Sequence, residues 1–188
     1  TTQRKRAEIA LHLAKEEGGG KTILFDATDE KFTQRRGEMA WISKLTSALE
    51  ENRFRLYYQP IVPLNNGKRP KAEVLIRLLD EDGSIISPIS IIPAAERYNL
   101  MPKIDTWVVE NTFRIYRMLL DQGSSLSDFM LSVNLSGASV IYEELIGTIL
   151  YNLEKYALKA SSFCFEITKT SAIQNLSLAC YFIQQIKN

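Results

Sequence analysis

Residues 71–77, KAEVLIR, form a short apolar stretch that also carries charged side chains, and this combination constrains the fold more than any other feature of the chain. Side chains alternate along a β-strand, so Glu73, Leu75 and Arg77 share one face. A buried charge is costly unless it is paired or bound to another charged group. Taken alone, the strand fits a structural Glu73–Arg77 ion pair as well as it fits a functional site.

Two later stretches each bring one more oxygen-bearing side chain to the end of a predicted strand. MLSVNLS carries Asn134, and SFCFEIT carries Glu166. The strand ends of a parallel barrel meet at one edge, so Glu73, Asn134 and Glu166 are expected to lie together. Oxygen ligands without histidine or thiolate suit Mg²⁺ or Mn²⁺ and argue against zinc or copper. The pattern therefore predicts a site for a hard cation.

Four motifs follow one another in this part of the chain: YQPI at residues 58–61, EVLIR at 73–77, SVNLS at 132–136 and FEIT at 165–168. They resemble the successive signatures of the EAL domain, a family that hydrolyses the bacterial second messenger cyclic di-GMP. Glu-Val-Leu stands where the family is named for Glu-Ala-Leu, and residues 87–108 are also similar to the family. No single motif is specific, but together and in this order, over residues 54–188, they are.

The resemblance implies cyclic di-GMP as the substrate, opened to linear pGpG. It assigns catalytic roles to Glu73 and Gln59, and metal binding to Glu73, Asn134 and Glu166. It also assigns substrate contacts to Arg77, which would hold a phosphate oxygen, and to Gln59. A strand glutamine hydrogen-bonded to backbone groups is an equally good interpretation of Gln59. The implied Mg²⁺ or Mn²⁺ site is incomplete in this sequence, because the family's later Asp-Asp pair, lysine and glutamate have no counterpart in it.

Two departures from the family pattern leave three function classes open. LLDEDG, residues 78–83, replaces a Trp and a His-Pro pair, and Lys169 stands where the family commonly has glutamate. The retained oxygen ligands favour a cyclic-guanylate-specific phosphodiesterase, whereas the departures fit a non-catalytic cyclic di-GMP receptor. The third class is a protein-interaction module. We expect the complete protein to be the enzyme and residues 1–188 alone to be inactive.

The amino-acid composition limits the binding partners and the cellular compartment expected for the protein. Lys+Arg 23 against Asp+Glu 22 gives a net charge of +1, which argues against a general nucleic-acid or membrane surface. No apolar run approaches the roughly 20 residues of a membrane-spanning helix, and we expect no signal peptide. Two cysteines without metal-type spacing suit a reducing compartment. These features predict a cytoplasmic location for this chain. They are also compatible with a membrane anchor upstream of it in the complete protein.

Residues 1–52 are predicted to precede the EAL-like domain. Residues 1–25 resemble the last helix and strand of a GGDEF (diguanylate cyclase) domain without its synthetic signature. Residues 26–52 are interpreted as a polar linker, 26–33, followed by a connector helix, 36–52. The connector helix either packs on its own domain or relays a signal between domains, and we expect a homodimer through this helix or through the EAL domain.

The predicted fold class is α/β: the N-terminal half of a TIM-like (β/α)8 barrel with an antiparallel first strand, in residues 53–188. Asn65-Asn66-Gly67 is typical of a hairpin turn, which makes the first two strands antiparallel. A complete barrel takes about 250 residues, so we expect the chain to stop near the middle of the barrel. Strands are predicted at residues 54–64, 71–79, 129–135 and 163–168, and helices at 94–97, 103–121, 140–156 and 177–187.

Overall fold

A computed structural model describes residues 3–4, 6–7, 10–11, 14, 22, 30–64, 69–167 and 176–187. Contacts divide the chain into two units, residues 1–47 and residues 48–188. In the first unit the backbone is helical at residues 3–4, 6–7, 10–11 and 14, as the sequence predicts. Residues 15–21 and 23–29 lie outside the described residues, and with them, apart from Thr22, the strand expected at the end of residues 1–25. No helix in the described ranges has the length and apolarity that a membrane span requires.

Helix α1, Glu30–Glu50, is longer than the predicted connector helix. Residues 30–33, predicted as linker, are helical, because glutamate and lysine are polar but also good helix formers. The helix ends just before Asn52, whose φ of 53° lies in the left-handed region that helices commonly adopt at their C-terminal end.

One sheet forms the centre of the second unit, with the strand order β1-β2-β4-β5 and β3 paired to the side of β2. The strands are β1 Phe54–Ile61, β2 Lys71–Leu79, β3 Ile85–Ile86, β4 Met130–Leu135 and β5 Phe163–Ile167. β1 and β2 are antiparallel, whereas β2 and β4, and β4 and β5, are parallel. The predicted α/β class and the antiparallel first strand are confirmed; the predicted turn at residues 65–67 lies outside the described residues. β3 was not predicted, because two residues are too few to show a period.

In the described ranges, α2 Pro88–Arg97 and α3 Met101–Asp121 lie between β3 and β4, α4 Glu143–Lys155 lies between β4 and β5, and α5 Leu176–Lys187 follows β5. α2 begins earlier than the predicted residue 94, because the Ser87 hydroxyl accepts a hydrogen bond from the Ile89 N–H and Pro88 fits the first turn. α3 ends at the predicted residue 121, and a glycine closes it: Gly123 has φ 63°, and the Ser124 N–H donates to the Leu119 carbonyl at 3.0 Å.

The two faces of the sheet differ in character. Alternate residues of β2 and β4 are buried in the apolar core: Ala72, Val74, Leu78, Leu131, Val133 and Leu135. α3 covers this face, and the Phe113 ring lies 4.3 Å from the Phe163 ring of β5. The opposite face therefore presents the other alternate residues, among them Glu73 and Asn134.

The two ends of the strands are tied by different arginines. At the end where β2 finishes, the Leu79 N–H donates to the Arg53 carbonyl at 3.0 Å, immediately before β1 begins. At the other end the Arg69 guanidinium donates to the carbonyls of Asp128 at 2.9 Å, Ser161 at 3.0 Å and Phe129 at 3.2 Å. Arg69 thus joins the segments that lead into β2, β4 and β5.

Candidate functional site

Glu73 and Asn134 meet directly on the open face of the sheet. The Asn134 Nδ2 donates a hydrogen bond to Oε1 of Glu73 at 2.7 Å. In the parallel register Glu73 lies beside Ser132, so Asn134 is the next residue of β4 on the same face. The predicted proximity of these two side chains is therefore present in the structure.

Glu166 occupies the corresponding position on the next strand. It is paired in register with Asn134 and its side chain is exposed. Adjacent strands lie about 4.8 Å apart, so the two side chains stand next to each other at the end of their strands. The structure thus places the predicted oxygen ligands on three neighbouring strands, with Asn134 and Glu166 near the ends of β4 and β5, whereas Glu73 lies near the start of β2, which continues past them.

Gln59 approaches the same point from β1. It is paired in register with Glu73 across the antiparallel ladder, and its side chain is exposed. Because directly paired residues project to the same face, Gln59 borders the Glu73 carboxylate from the side opposite β4.

Arg77 does not form the structural ion pair that the strand alone allowed. Among the described residues its guanidinium makes no salt bridge to Glu73; it donates to the Ile76 carbonyl at 2.8 Å. Its Cζ atom lies 5.5 Å from the centre of the Tyr57 ring, a cation–π contact. Sequence reasoning missed Tyr57, although its alternation with Gln59 along β1 places both on the site face.

The donor set is suited to a hard cation but is only part of a site. Two carboxylates and one amide oxygen are the ligand types that Mg²⁺ and Mn²⁺ prefer. Within the described ranges no group of three or more His, Cys, Asp or Glu side chains could hold a metal ion by itself. Glu73, Asn134 and Glu166 therefore fit such an ion as contributors, with further ligands required.

A cleft of about 360 Å³ opens beside these residues, between the second strand and helices α2 and α3. Its lining combines Glu73, Arg77 and Asn134 with apolar side chains such as Ile91 and Ile104. A largely apolar cavity with a few convergent polar groups is typical of small-ligand sites, and its volume falls within their usual range of about 300–1,000 Å³.

Asp105 of α3 lies at the rim of this cleft and is 3% exposed. Its Oδ2 accepts hydrogen bonds from the Ser136 N–H at 2.8 Å and from the Ser139 hydroxyl at 2.6 Å. Burial raises the pKa of the Asp105 carboxyl, and the hydrogen bonds only partly oppose that rise. Sequence reasoning missed Asp105; the available signal was an acidic residue next to Ile104, on the apolar face of a helix.

Tyr58 belongs to the opposite face and takes no part in the site. Its hydroxyl is buried and has no hydrogen-bond partner in the described part of the chain. Desolvation raises the pKa of Tyr58 to about 12, although the nearby Arg114 lowers it.

Lys169, the predicted departure near Glu166, lies outside the described residues.

The chain matches the EAL domain family model over residues 42–188. It is 36% identical over 185 residues to the cyclic di-GMP phosphodiesterase PdeB of Shewanella oneidensis. That alignment covers 97% of this chain and 21% of PdeB. It superposes on the FimX EAL domain of Pseudomonas aeruginosa bound to c-di-GMP with a TM-score of 0.70 and 31% identity, over 78% of this chain and 57% of that one. For the PaMucR phosphodiesterase in complex with c-di-GMP the TM-score is 0.70 and the identity 27%, over 79% and 59% of the respective chains.

These matches cover only part of each relative. The chain spans about a fifth of the length of PdeB and between half and two thirds of the solved EAL chains.

Proposed function

The chain belongs to the EAL domain family, and from that premise we propose that it forms part of a phosphodiesterase that hydrolyses cyclic di-GMP to linear pGpG. The observation that carries the proposal is the adjacency of Glu73, Asn134 and Glu166 on three neighbouring strands. Oxygen ligands at one strand edge are what metal-assisted hydrolysis of a phosphodiester requires.

EAL phosphodiesterases are metal-dependent, and we propose Mg²⁺ or Mn²⁺ as the ion held here, in a two-metal site. Glu73, Asn134 and Glu166 would contribute ligands to such ions, which when bound would supply an activated water and neutralise charge on the phosphate. The hydrogen bond from the Asn134 amide fixes the Glu73 carboxylate, and so limits the rearrangement needed when the ligand set forms.

Gln59 and Arg77 are proposed to bind the substrate. Arg77 presents a guanidinium that carries no competing carboxylate in the described residues, and so it can donate to a phosphate oxygen. The Tyr57 ring limits the movement of that guanidinium. Gln59, in register with Glu73, would donate its amide N–H to the reacting end of the dinucleotide, and its position beside Glu73 supports this role.

A non-catalytic cyclic di-GMP receptor is the second candidate. It is favoured by the segment after β2, where the Asp80 N–H donates to the Ser84 carbonyl at 2.8 Å and the Gly83 N–H to the Asp80 carbonyl at 3.0 Å. This segment forms a tight turn that leads into β3, in place of the Trp and His-Pro side chains that EAL enzymes usually carry there.

The test is incubation of the purified full-length protein with cyclic di-GMP and Mg²⁺ or Mn²⁺, followed by chromatographic identification of the product. Formation of pGpG that stops on chelation supports the phosphodiesterase. Tight binding of cyclic di-GMP without turnover would establish the receptor instead, and absence of both would refute the proposed function.

The proposal also covers the domain boundaries, the oligomeric state and the cellular location of the protein. We propose that residues 1–25 belong to a GGDEF-like domain, residues 26–52 to a linker and connector helix, and residues 53–188 to the EAL barrel. We further propose a homodimer through the connector helix or the barrel, to be checked by sedimentation of the full-length protein. A cytoplasmic location accords with the free thiols of Cys164 and Cys180.

A further inference from the structure

We propose that Asp105 is a positioning residue for the candidate site: it fixes the chain immediately after Asn134 and thereby the orientation of the Asn134 side chain. The inference rests on the proposed function, because it concerns how Asn134 is held for its role there.

The link between the two residues is short. The Ser136 N–H, two residues after Asn134, donates to Oδ2 of Asp105 at 2.8 Å. Between them Leu135 is 2% exposed and points into the apolar core. The backbone on the C-terminal side of Asn134 is therefore held at both following residues, which restricts the directions open to the Asn134 side chain.

A second hydrogen bond makes the attachment specific. The Ser139 hydroxyl donates to the same Oδ2 at 2.6 Å, and the Ser139 N–H donates to the Ser136 hydroxyl oxygen at 3.2 Å. The Ser136 and Ser139 hydroxyl oxygens lie 2.8 Å apart. Asp105 thus closes the turn that follows β4 and attaches it to α3.

The helix that carries Asp105 is itself well anchored. Ile104, Val108 and Val109 are 2%, 6% and 0% exposed, so the turn of helix around Asp105 is packed into the core. Cores at native density resist displacement, and a side chain on such a helix is a fixed reference point. The hydrogen bonds therefore transfer the position of α3 to the end of β4.

The choice of residue supports a role beyond packing. The identified hydrogen-bond donors to the carboxylate are both neutral, and burial of a carboxylate among neutral groups costs free energy. An ionised acceptor makes shorter and stronger hydrogen bonds than an amide oxygen does. Asp105 therefore costs folding free energy but makes stronger hydrogen bonds to Ser136 and Ser139 than an amide would. Such a residue is expected where the position of the chain matters more than stability.

The test is Asp105→Asn in the full-length protein, measured by the rate of cyclic di-GMP hydrolysis and, separately, by direct titration of Mn²⁺ binding. Loss of a group hydrogen-bonded directly to a metal ligand costs on the order of ten- to a hundredfold in metal affinity or activity, and Asp105 acts one step further out, through Ser136. We expect a loss at the lower end of that range in both measurements, with faster hydrogen exchange at the Ser136 amide. Ser139→Ala, which removes one donor, should show a smaller loss in the same direction.

Thr112→Val is the matched control. Thr112 is a fully buried polar residue on the same helix, and its hydroxyl has no hydrogen-bond partner in the described ranges. This variant should leave the rate, the Mn²⁺ affinity and the Ser136 amide exchange at wild-type values. Thermal melting of each variant establishes that it is folded.

The outcomes separate this inference from the proposed function. A folded Asp105→Asn protein with wild-type Mn²⁺ affinity and rate overturns the inference and leaves the phosphodiesterase standing. A wild-type protein that binds Mn²⁺ without hydrolysing cyclic di-GMP refutes the enzyme, while the affinity difference between Asp105→Asn and Thr112→Val still decides the inference. A wild-type protein that does neither overturns both.

Discussion

The Asn134 side chain donates a hydrogen bond from Nδ2 to Oε1 of Glu73 across 2.7 Å, and so connects two parallel strands at the edge where the candidate site lies. This hydrogen bond uses Nδ2 and leaves Oδ1, the acceptor atom of the amide, for a ligand role. The two residues act as one unit, and effects of substituting either are expected to be non-additive.

Glu73→Gln should abolish most of the hydrolytic activity of the full-length protein. The substitution keeps the size of the side chain and an oxygen that can accept the Asn134 hydrogen bond, but removes the charge that a metal ligand supplies. Loss of several kcal/mol of transition-state stabilisation corresponds to a rate reduction on the order of a thousandfold. The measurement is pGpG formation at saturating Mg²⁺ or Mn²⁺.

Glu110→Gln, on an exposed position of α3, is the charge-matched control and should retain wild-type turnover. Near-normal turnover by Glu73→Gln would contradict the assignment of Glu73 to the metal site.

Arg69→Lys should destabilise the second unit without altering the chemistry. A lysine ammonium cannot reproduce the planar fork that reaches the carbonyls of Asp128, Phe129 and Ser161. The lost hydrogen bonds predict a decrease in the free energy of unfolding on the order of 1 kcal/mol, read from urea denaturation.

The comparison variant is Arg55→Lys, since Arg55 donates only to nearby carbonyls, those of Asn52 and Phe54, in the described hydrogen bonds. Equal free energies of unfolding for the two variants would show that the hydrogen bonds between Arg69 and the three segments do not stabilise the fold.

Tyr58→Phe should leave the protein as stable as the wild type, or more stable by up to about 1 kcal/mol. The variant removes a buried hydroxyl that has no partner in the described residues, and such a group carries a desolvation cost. Urea denaturation measures the change, with the exposed Tyr151→Phe as the control for loss of a hydroxyl that water already satisfies. Marked destabilisation by Tyr58→Phe would mean that its hydroxyl has a partner after all.

The stability difference between Asp105→Asn and the wild type should depend on pH. The folded-state pKa of Asp105 lies above its unfolded value, so the stability from this group is fully present below the unfolded pKa and is lost as pH rises through the folded pKa. Asparagine does not ionise. The free energy of unfolding of Asp105→Asn minus that of the wild type should therefore increase from about pH 4 toward neutrality.

Urea denaturation across that pH range gives the difference directly, with Thr112→Val expected to show a difference that does not change with pH. A difference for Asp105→Asn that decreases toward neutrality would reverse the sign and contradict the raised pKa.

The sequence allowed the sheet and the proximity of its oxygen-bearing side chains to be predicted because both depend on local patterns. Alternation within residues 71–79 gave the bounds of β2 and the face that Glu73 occupies, and strand ends in a parallel sheet converge whatever the details of packing. The same reasoning predicted the meeting of Glu73 with Asn134 across many intervening residues.

Contacts between distant elements were beyond that reasoning. In the sequence Asp105 cannot be distinguished from other polar helix residues. Its role depends on the packing of α3 beside the turn at Ser136, and the periodicity of the sequence does not show that contact. Helix starts were also misplaced: the N-cap at Ser87 extends α2 back to Pro88, whereas the apolar pattern alone suggested a later start.

The reversed direction of β1 determines where the polypeptide joins the barrel. Phe54 pairs with Leu78, so the chain enters at the same end of the sheet that bears Asn134 and Glu166. Arg53 is hydrogen-bonded to Leu79 at that entry. In an all-parallel arrangement the first strand would begin at the far end, separated from Asn134 and Glu166 by the length of a strand. Here the chain enters the sheet at the end toward which these two residues lie, so chain entry and candidate site share one end of the sheet.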